Sequence, residues 1–259
     1  MTNINKQIRI AKNKLLTMHF DKKIGHIGGN LSCLDAMMVI HHQLLKDNDK
    51  FILSKGHAAG ALYITLWSIG LLSDHDLGTF HADNTKLSGH PVSQWHSSIP
   101  CSSGSLGHGF SFALGIALGY YYSKSAQHVY CLTSDGEWQE GSTWEALIFF
   151  AHHKLNNLTV LVDCNRLQGF GSTQDIASMS NLADKIKAFG VNVVEVDGHD
   201  TDILFSTINE NKGSVIILNT IKGHGVSFME NAMEWHYLPL NEAQYKQAIY
   251  EIGALSNEK

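Results

Sequence analysis

Apolar positions along the chain follow two periods in alternation. Near the N-terminus Ile4, Ile8, Leu15 and Met18 recur at roughly helical spacing with lysines between them, which predicts an amphipathic helix from Thr2 to about Phe20. The pattern breaks at Ile24-Gly25-His26-Ile27-Gly28-Gly29, and a second helix starting near Asn30 or Ser32 carries Leu34, Met37, Met38, Ile40 and Leu44. A loop of glycines and histidine is therefore expected between two helices. Phe51 to Ser54 reads as a short strand feeding Lys55-Gly56-His57, and Ala58 to Ile69 as a helix of small residues. Gly104 to Tyr122 is rich in glycine and alanine, which suits a closely packed helix. Val129 to Thr133 and Leu158 to Val162 are nearly continuous apolar runs, the mark of strands buried on both faces of a parallel sheet. Ser142 to His153 is helical between them, Val191 to Val196 and Ser214 to Leu218 are later strands, and a helix with a polar tail follows Leu240.

Strands alternating with helices predict a doubly wound α/β fold, a mostly parallel sheet flanked by helices with right-handed crossovers. No repeat or low-complexity linker interrupts the chain, so residues 1–259 are expected to form one domain. Leu71 to Ser103, rich in Ser, His and Asp, is expected to run over the surface as a long functional excursion.

Composition narrows the function classes. The 44% hydrophobic and 17% charged content is that of an ordinary globular protein, and no apolar run is long enough to span a bilayer. Met1 to Phe20 lacks the features of a signal peptide, so the expected compartment is the cytoplasm. Acidic residues outnumber basic ones, 24 to 19, and the basic ones form no tract, which argues against nucleic acid and membrane partners. Cys33, Cys101, Cys131 and Cys164 are too scattered for a zinc knuckle or a disulfide framework and read as reduced and structural. Several of the sixteen histidines follow glycine: His26, His57, His90, His108, His199 and His224. A histidine beside a flexible residue suits the lining of a cleft, whereas His41, His42, His152 and His153 read as helix-surface or helix-end residues.

Ligands of an open parallel sheet bind beyond the carboxyl ends of its strands. Ser134-Asp135-Gly136-Glu137 follows one buried strand and Asp163-Cys164-Asn165-Arg166-Leu167 the next. The first offers a carboxylate, a glycine that lets backbone approach an anion, and a following helix N-terminus; the second offers an amide oxygen and turn carbonyls. Few hard oxygen ligands suit magnesium when a diphosphate supplies the rest. Asp135 and Asn165 lie 30 positions apart, one strand-helix-strand crossover, so they can end side by side.

This arrangement resembles the G-D-G…N signature of thiamine-diphosphate enzymes, with Ser134 in place of the first glycine. Further segments, Gly25-His26-Ile27-Gly28-Gly29, Phe51 through Ala59, Ser88-Gly89-His90-Pro91, Gly104 through Gly109 and Gln139 through Ala146, resemble the N-terminal third of transketolases in order and spacing. Asn219 through Asn231 and Trp235-His236 resemble the forms of that family divided between two genes, although many relatives have glycine where Tyr237 stands here. The resemblance implies a domain that binds thiamine diphosphate and Mg2+ (or Ca2+ or Mn2+ in its place), with Asp135, Asn165 and the Leu167 carbonyl as metal ligands. It implies cofactor contacts at Gly104, Ser105, Leu106, Gly107, Ser134, Gly136, Glu137 and Gln168, and a role for Glu140 in communication between paired cofactor sites. His26, His57, His90 and His236 would line the channel and transfer protons, His57 and His236 also touching the cofactor.

By the same resemblance the activity would be transfer of a two-carbon ketol unit from a ketose or its phosphate to an aldehyde. The pyrimidine-binding domain would lie on a C-terminal transketolase subunit, in a heteromer with two copies of each chain. The rival enzyme reading is the alpha chain of a 2-oxo-acid decarboxylating enzyme, against which the His26 and Lys55-Gly56-His57 segments argue. The rival from another class is a non-catalytic cofactor-binding or scaffold subunit, against which the retained Asp135, Asn165 and histidines argue.

Overall fold

The two continuous apolar runs form the middle of the sheet in this computed structural model, which describes residues 3–254; Met1, Thr2 and the tail from residue 255 lie outside the described residues. In chain order, α1 (Asn3–Lys22), α2 (Ile27–Val39), β1 (Lys50–Leu53), α3 (Ala59–Ser68) and the short α4 (Asp74–Gly78) precede α5 (His108–Tyr122) and β2 (Val129–Ser134). Then come α6 (Gly141–His153), β3 (Leu158–Cys164), a small hairpin of β4 (Leu167–Gln168) and β5 (Gly171–Ser172), α7 (Thr173–Ala177) and α8 (Leu182–Lys187). The last elements are β6 (Val193–Asp197), α9 (Thr201–Glu210), β7 (Val215–Asn219) and α10 (Glu242–Ala254). The main sheet has the order β1-β2-β3-β7-β6, and every pairing in it is parallel.

Because side chains alternate across a strand, the sheet divides its apolar residues between two cores. Tyr130, Leu132, Leu161, Ile216 and Leu218 face α1, α2, α3, α9 and α10, while Val129, Cys131, Val160, Val162, Val215 and Ile217 face α5, α6 and α8. Each buried Leu- or Val-sized side chain contributes about 1.5–3 kcal/mol of transfer free energy. The layering follows from handedness. The steps β1 to β2, β2 to β3 and β3 to β6 run in one direction across the sheet and place α5, α6 and α8 on one face; the reverse step β6 to β7 sends α9 to the other. Among the described residues no helix is long and apolar enough to cross a membrane.

Several local expectations change. The second helix begins at Ile27, so Gly28 and Gly29 form its first turn instead of a loop. Gly104 to Gly107 precede α5 as a loop, with φ of 148° at Gly104 and 81° at Gly107. His41 is buried, because the π-helical turn Ile40–Leu44 brings it inward against Phe51 and next to the Met37 carbonyl oxygen at 2.9 Å. The 71–103 excursion is not purely superficial either, since Leu72, Leu77, Phe80, Leu87 and Ile99 join the core. All four cysteines are free, and burial raises every thiol pKa, to about 12 for Cys33.

Candidate active site

The carboxyl ends of β1, β2, β3 and β7 open onto one rim. Ser134 sits opposite Asp163 in the sheet register, which sets Asp135 and Asn165 side by side as their spacing predicts. The Asp135 carboxylate accepts the Gly136 N–H at 2.9 Å and the Arg166 N–H at 2.6 Å. Arg166 turns the chain with a φ of 64°, and Asn165 Oδ1 accepts the Leu167 N–H at 3.1 Å across that turn. The 3-10 turn Asp135–Gln139 separates this corner from α6, so no α-helix N-terminus follows Gly136 directly.

Ser134 occupies the position of the signature's first glycine with φ −110° and ψ 160°, extended backbone open to any residue. Ser134→Gly is therefore expected to change cofactor affinity by less than about threefold in a cofactor titration. A loss of two orders of magnitude would show that the hydroxyl has a role of its own.

A cavity of about 250 Å3 rises from this corner. Its walls include His26, His57, His90 and His236, together with Gly104, Leu106, Ser134, Asp135, Gly136, Asn165, Leu167 and Gln168. Ser105, Gly107, Glu137 and Glu140 stand outside it. Glu137 is fully buried and accepts from Ser54 Oγ at 2.5 Å, Gly107 N at 2.9 Å and Ser134 N at 2.9 Å, so it braces the loops that shape the cavity. Gly107 needs its missing side chain, because a Cβ there would lie 2.4 Å from Ser142 Oγ. Glu140 is exposed at the start of α6. A larger trough of about 760 Å3 lies across the Asn165–Leu167 turn and contains none of the four cavity histidines.

The four imidazoles converge from distant parts of the sequence. Ring centroids lie 4.9 Å apart for His26–His236, 5.6 Å for His57–His236, 5.9 Å for His26–His57 and 6.2 Å for His26–His90. His26 caps α2 in the left-handed region at φ 65°, and its N–H bonds the His236 carbonyl at 3.0 Å. Asn30, fully buried one turn on, donates to the carbonyls of His26 at 2.8 Å and His57 at 3.1 Å and accepts the Ala61 N–H at 2.7 Å. One amide thus ties two histidine loops together.

Burial is the main cause that lowers the imidazole pKa values, to about 4 for His26, to about 3 for His236 and well below the ordinary value for His57; neighbouring histidines and lysines push the same way. All three are neutral at pH 7, each with one donor and one acceptor nitrogen. Burial, and then Asp163, raise Asp135 to about 7. Lys222 falls to about 8 through burial and the proximity of Lys55; its ammonium lies 3.1 Å from His236 Nδ1 and 3.5 Å from the Leu167 carbonyl.

Sequence reasoning assigned no role to Lys55, Asp163, Lys222 or Asn30. Lys55 and Asp163 are both fully buried and ion-paired beneath the cavity, and Lys55 also donates to the Gly29 carbonyl at 2.9 Å. For Lys55 and Asp163 the available signal was a charged residue at or just after an apolar strand; Asn30, an amide within α2, and Lys222, three residues past β7, carried no such signal. Tyr237 stands at the mouth, half exposed, its ring 4.8 Å from that of His236 and its hydroxyl against Gly169, where a Cβ would lie 2.4 Å away.

Known proteins resemble this chain along most of its length. The sequence model of the transketolase thiamine diphosphate binding domain matches residues 9–259. The chain is 34% identical over 256 residues to an apulose-4-phosphate transketolase subunit of Phocaeicola vulgatus, covering 93% of this chain and 91% of that one. It is 36% identical over 243 residues to 6-deoxy-6-sulfo-D-fructose transketolase subunit SqwG of Clostridium sp. (strain MSTE9), covering 88% of each. The solved transketolase from Leishmania mexicana superposes with a TM-score of 0.90 at 26% identity over 98% of this chain, which spans 42% of that longer protein. The chain belongs to the transketolase family of thiamine-diphosphate-dependent transferases, as the domain that binds thiamine diphosphate.

Proposed function

We propose that this chain is one subunit of a two-subunit transketolase-type enzyme that transfers a two-carbon ketol unit from a ketose or ketose phosphate to an aldehyde acceptor. The observation that carries this reading is the convergence of four histidines on the cavity whose floor holds Asp135, Asn165 and Leu167. The site suits the cofactor on its own chemistry. Asp135 is a buried carboxylate that burial and Asp163 raise to about 7, so its hydrogen bonds and Lys55 offset its charge only in part, and Lys222 is a buried ammonium with no carboxylate bonded to it among the described residues. Mg2+ would be held by the Asp135 carboxylate, the Asn165 amide oxygen and the Leu167 carbonyl. Lys222 would balance the diphosphate's negative charge, and Ser134, Gly136, Gly104 and Leu106 would let backbone lie close to it.

Bound thiamine diphosphate supplies a nucleophilic carbon and an electron sink for the two-carbon fragment. The chain's own groups orient and move protons. Neutral His26 and His57 each offer a donor and an acceptor nitrogen to sugar hydroxyls and can relay a proton between them, His236, whose Nδ1 faces the Lys222 ammonium, offers its Nε2, and His90 extends this wall. Tyr237 narrows the mouth beside His236 and so bears on which sugars enter. Glu140, exposed outside the cavity, is assigned to contact with a second cofactor site.

The subunit designations of the relatives, and the 42% share of a full-length transketolase that this chain spans, support a partner chain, to which we assign the pyrimidine-binding domain; we place two copies of each chain together in a cytoplasmic enzyme. Co-expression with the protein encoded beside it tests this. Two-carbon transfer from a ketose phosphate is expected only with both chains, thiamine diphosphate and Mg2+. Full turnover by either chain alone, or turnover indifferent to the cofactor, would sink the reading.

A further inference from the structure

Three of the glycine-flanked histidines enter the cavity, but His199 and His224 meet elsewhere, stacked with centroids 3.5 Å apart and planes 21° from parallel. Their glycines permit the approach. A Cβ on Gly198 would lie 2.3 Å from Thr220 Cγ2, and Gly223, at φ 81°, would place one 2.4 Å from the Met229 carbonyl oxygen. Against the stacked pair lie the buried Asp35 of α2 and Lys12 of α1. Lys12 Nζ is 3.0 Å from Asp35 Oδ1, 3.1 Å from Oδ2 and 3.0 Å from His224 Nδ1, and His199 Nδ1 is 2.8 Å from Asp35 Oδ2. On its far side His199 Nε2 accepts the backbone N–H of Ile221 at 2.9 Å. That bond sets the tautomer, leaving Nδ1–H to donate to Asp35.

Asp35, His199 and His224 have the composition of a metal site, but two features argue against one. The Lys12 ammonium already serves as the cation bonded to Asp35 and His224, and with His199 Nε2 taken by the Ile221 N–H, its Nδ1 facing Asp35 carries the proton and has no lone pair to give a metal. What the cluster does grip is the residue before Lys222. On the other side of Lys222, the Gly223 N–H bonds the Gly28 carbonyl at 2.9 Å. Both holds lead back to α2, whose first turn builds the cavity wall.

We propose that Lys12, Asp35, His199 and His224 form a positioning device for Lys222, in which the His199–Ile221 bond fixes the backbone from which the Lys222 ammonium reaches the diphosphate site. This rests on the reading of the cavity as the thiamine diphosphate site. Lysine is flexible, so slack at its backbone lets the charge leave its place, and displacements of about 1 Å are costly at a preorganised site.

The test is made in the two-chain complex by titrating thiamine diphosphate at saturating Mg2+ against His199→Asn and His199→Gln. Asparagine can still donate to Asp35 but stops short of Ile221, whereas glutamine carries its amide oxygen out to the position of Nε2. His199→Asn is expected to weaken cofactor affinity about tenfold with kcat at saturating cofactor nearly unchanged, and His199→Gln to remain close to wild type. Amide exchange over residues 220–225 is expected to quicken in the asparagine variant alone. In a Lys222→Met background, His199→Asn is expected to cost nothing further, since a residue acting through Lys222 has nothing left to position.

Equal behaviour of the asparagine and glutamine variants overturns the proposal, as does a loss that adds in full to that of Lys222→Met. If the asparagine variant does not fold, His199→Ala, which leaves space for water beside Asp35, carries the same expectations. If Lys222→Met leaves affinity unchanged while Asp135→Ala abolishes binding, the positioning role is refuted and the cofactor site stands. If neither substitution affects binding, the cofactor reading itself falls.

Discussion

Replacing Asp135 with alanine is expected to reduce two-carbon transfer about a thousandfold or more, the scale of losing a preorganised electrostatic contact that also anchors the metal. Asp135 is 3% exposed and sits where β2 ends beside β3, so no neighbouring carboxylate can swing into its place: Asp163 is committed to Lys55, and Glu137 to Ser54, Gly107 and Ser134. The substitution should leave the fold intact, because it removes a charge that burial disfavours. The pH dependence gives an independent check. In the cofactor-free chain burial and Asp163 raise this carboxyl from 3.8 to about 7. A group whose folded pKa is raised contributes stability that is fully present below about pH 4 and is lost as pH climbs through about 7. The cofactor-free wild type should therefore lose melting temperature between about pH 4 and 7 relative to Asp135→Ala, by an amount reflecting a few kcal/mol, and level off above that. Mg2+ with thiamine diphosphate should recover that loss in the wild type only, and more at pH 8 than at pH 6. A melting-temperature difference between the two proteins that stays flat across this range would refute the electrostatic account, and residual turnover near wild type would refute the metal-ligand role.

The parts of this site that sequence reveals are those whose chemistry and periodicity agree. Val129 to Thr133 and Leu158 to Val162 announce central strands because both faces of each are covered, and one crossover's length then brings Asp135 and Asn165 together. Gly28 and Gly29 mislead for a physical reason. Glycine weakens a helix and so reads as a loop, yet here it permits close packing: a Cβ on Gly28 would lie 3.1 Å from Lys222 Cγ, and one on Gly29 3.4 Å from the His57 ring. Glu137 is similar, since a carboxylate two residues after Asp135 suggests ligand contact until its hydrogen bonds show it satisfied internally. Lys55, Asp163 and Lys222 are harder still. Charged side chains are almost always exposed, and only the structure pairs a lysine after β1 with an aspartate near the end of β3.

Lys55→Met is expected to be more destabilising than any of the other single substitutions around the cavity. Lys55 and Asp163 are both inaccessible to solvent. Burial pulls the lysine pKa down and pushes the aspartate's up, but the pair's attraction and hydrogen bonds outweigh this, so Lys55 is raised and Asp163 is held below its ordinary value. Both are charged across the physiological range. Asp163 also accepts from Ser32 Oγ at 2.6 Å, from the Thr220 hydroxyl and from Asn165 Nδ2 at 3.3 Å, so one carboxylate joins α2, β3 and the segments after β1 and β7. Methionine fills most of the lysine's volume but leaves that carboxylate buried without a counter-charge, a change that costs about 3–5 kcal/mol. For a domain of this size the loss corresponds to about 10 °C in melting temperature. Adding Asp163→Asn should restore part of it, because the uncompensated charge disappears even though the pair is gone. Cofactor binding should not return with stability, since the amide cannot reproduce the bonds that orient Asn165 and the Gly29 carbonyl loses its lysine. Calorimetry and a cofactor titration on the two variants separate these effects. A Lys55→Met protein that melts within about 3 °C of wild type, or a double variant less stable than the single, would mean that the buried pair is not what ties the floor of the cavity together.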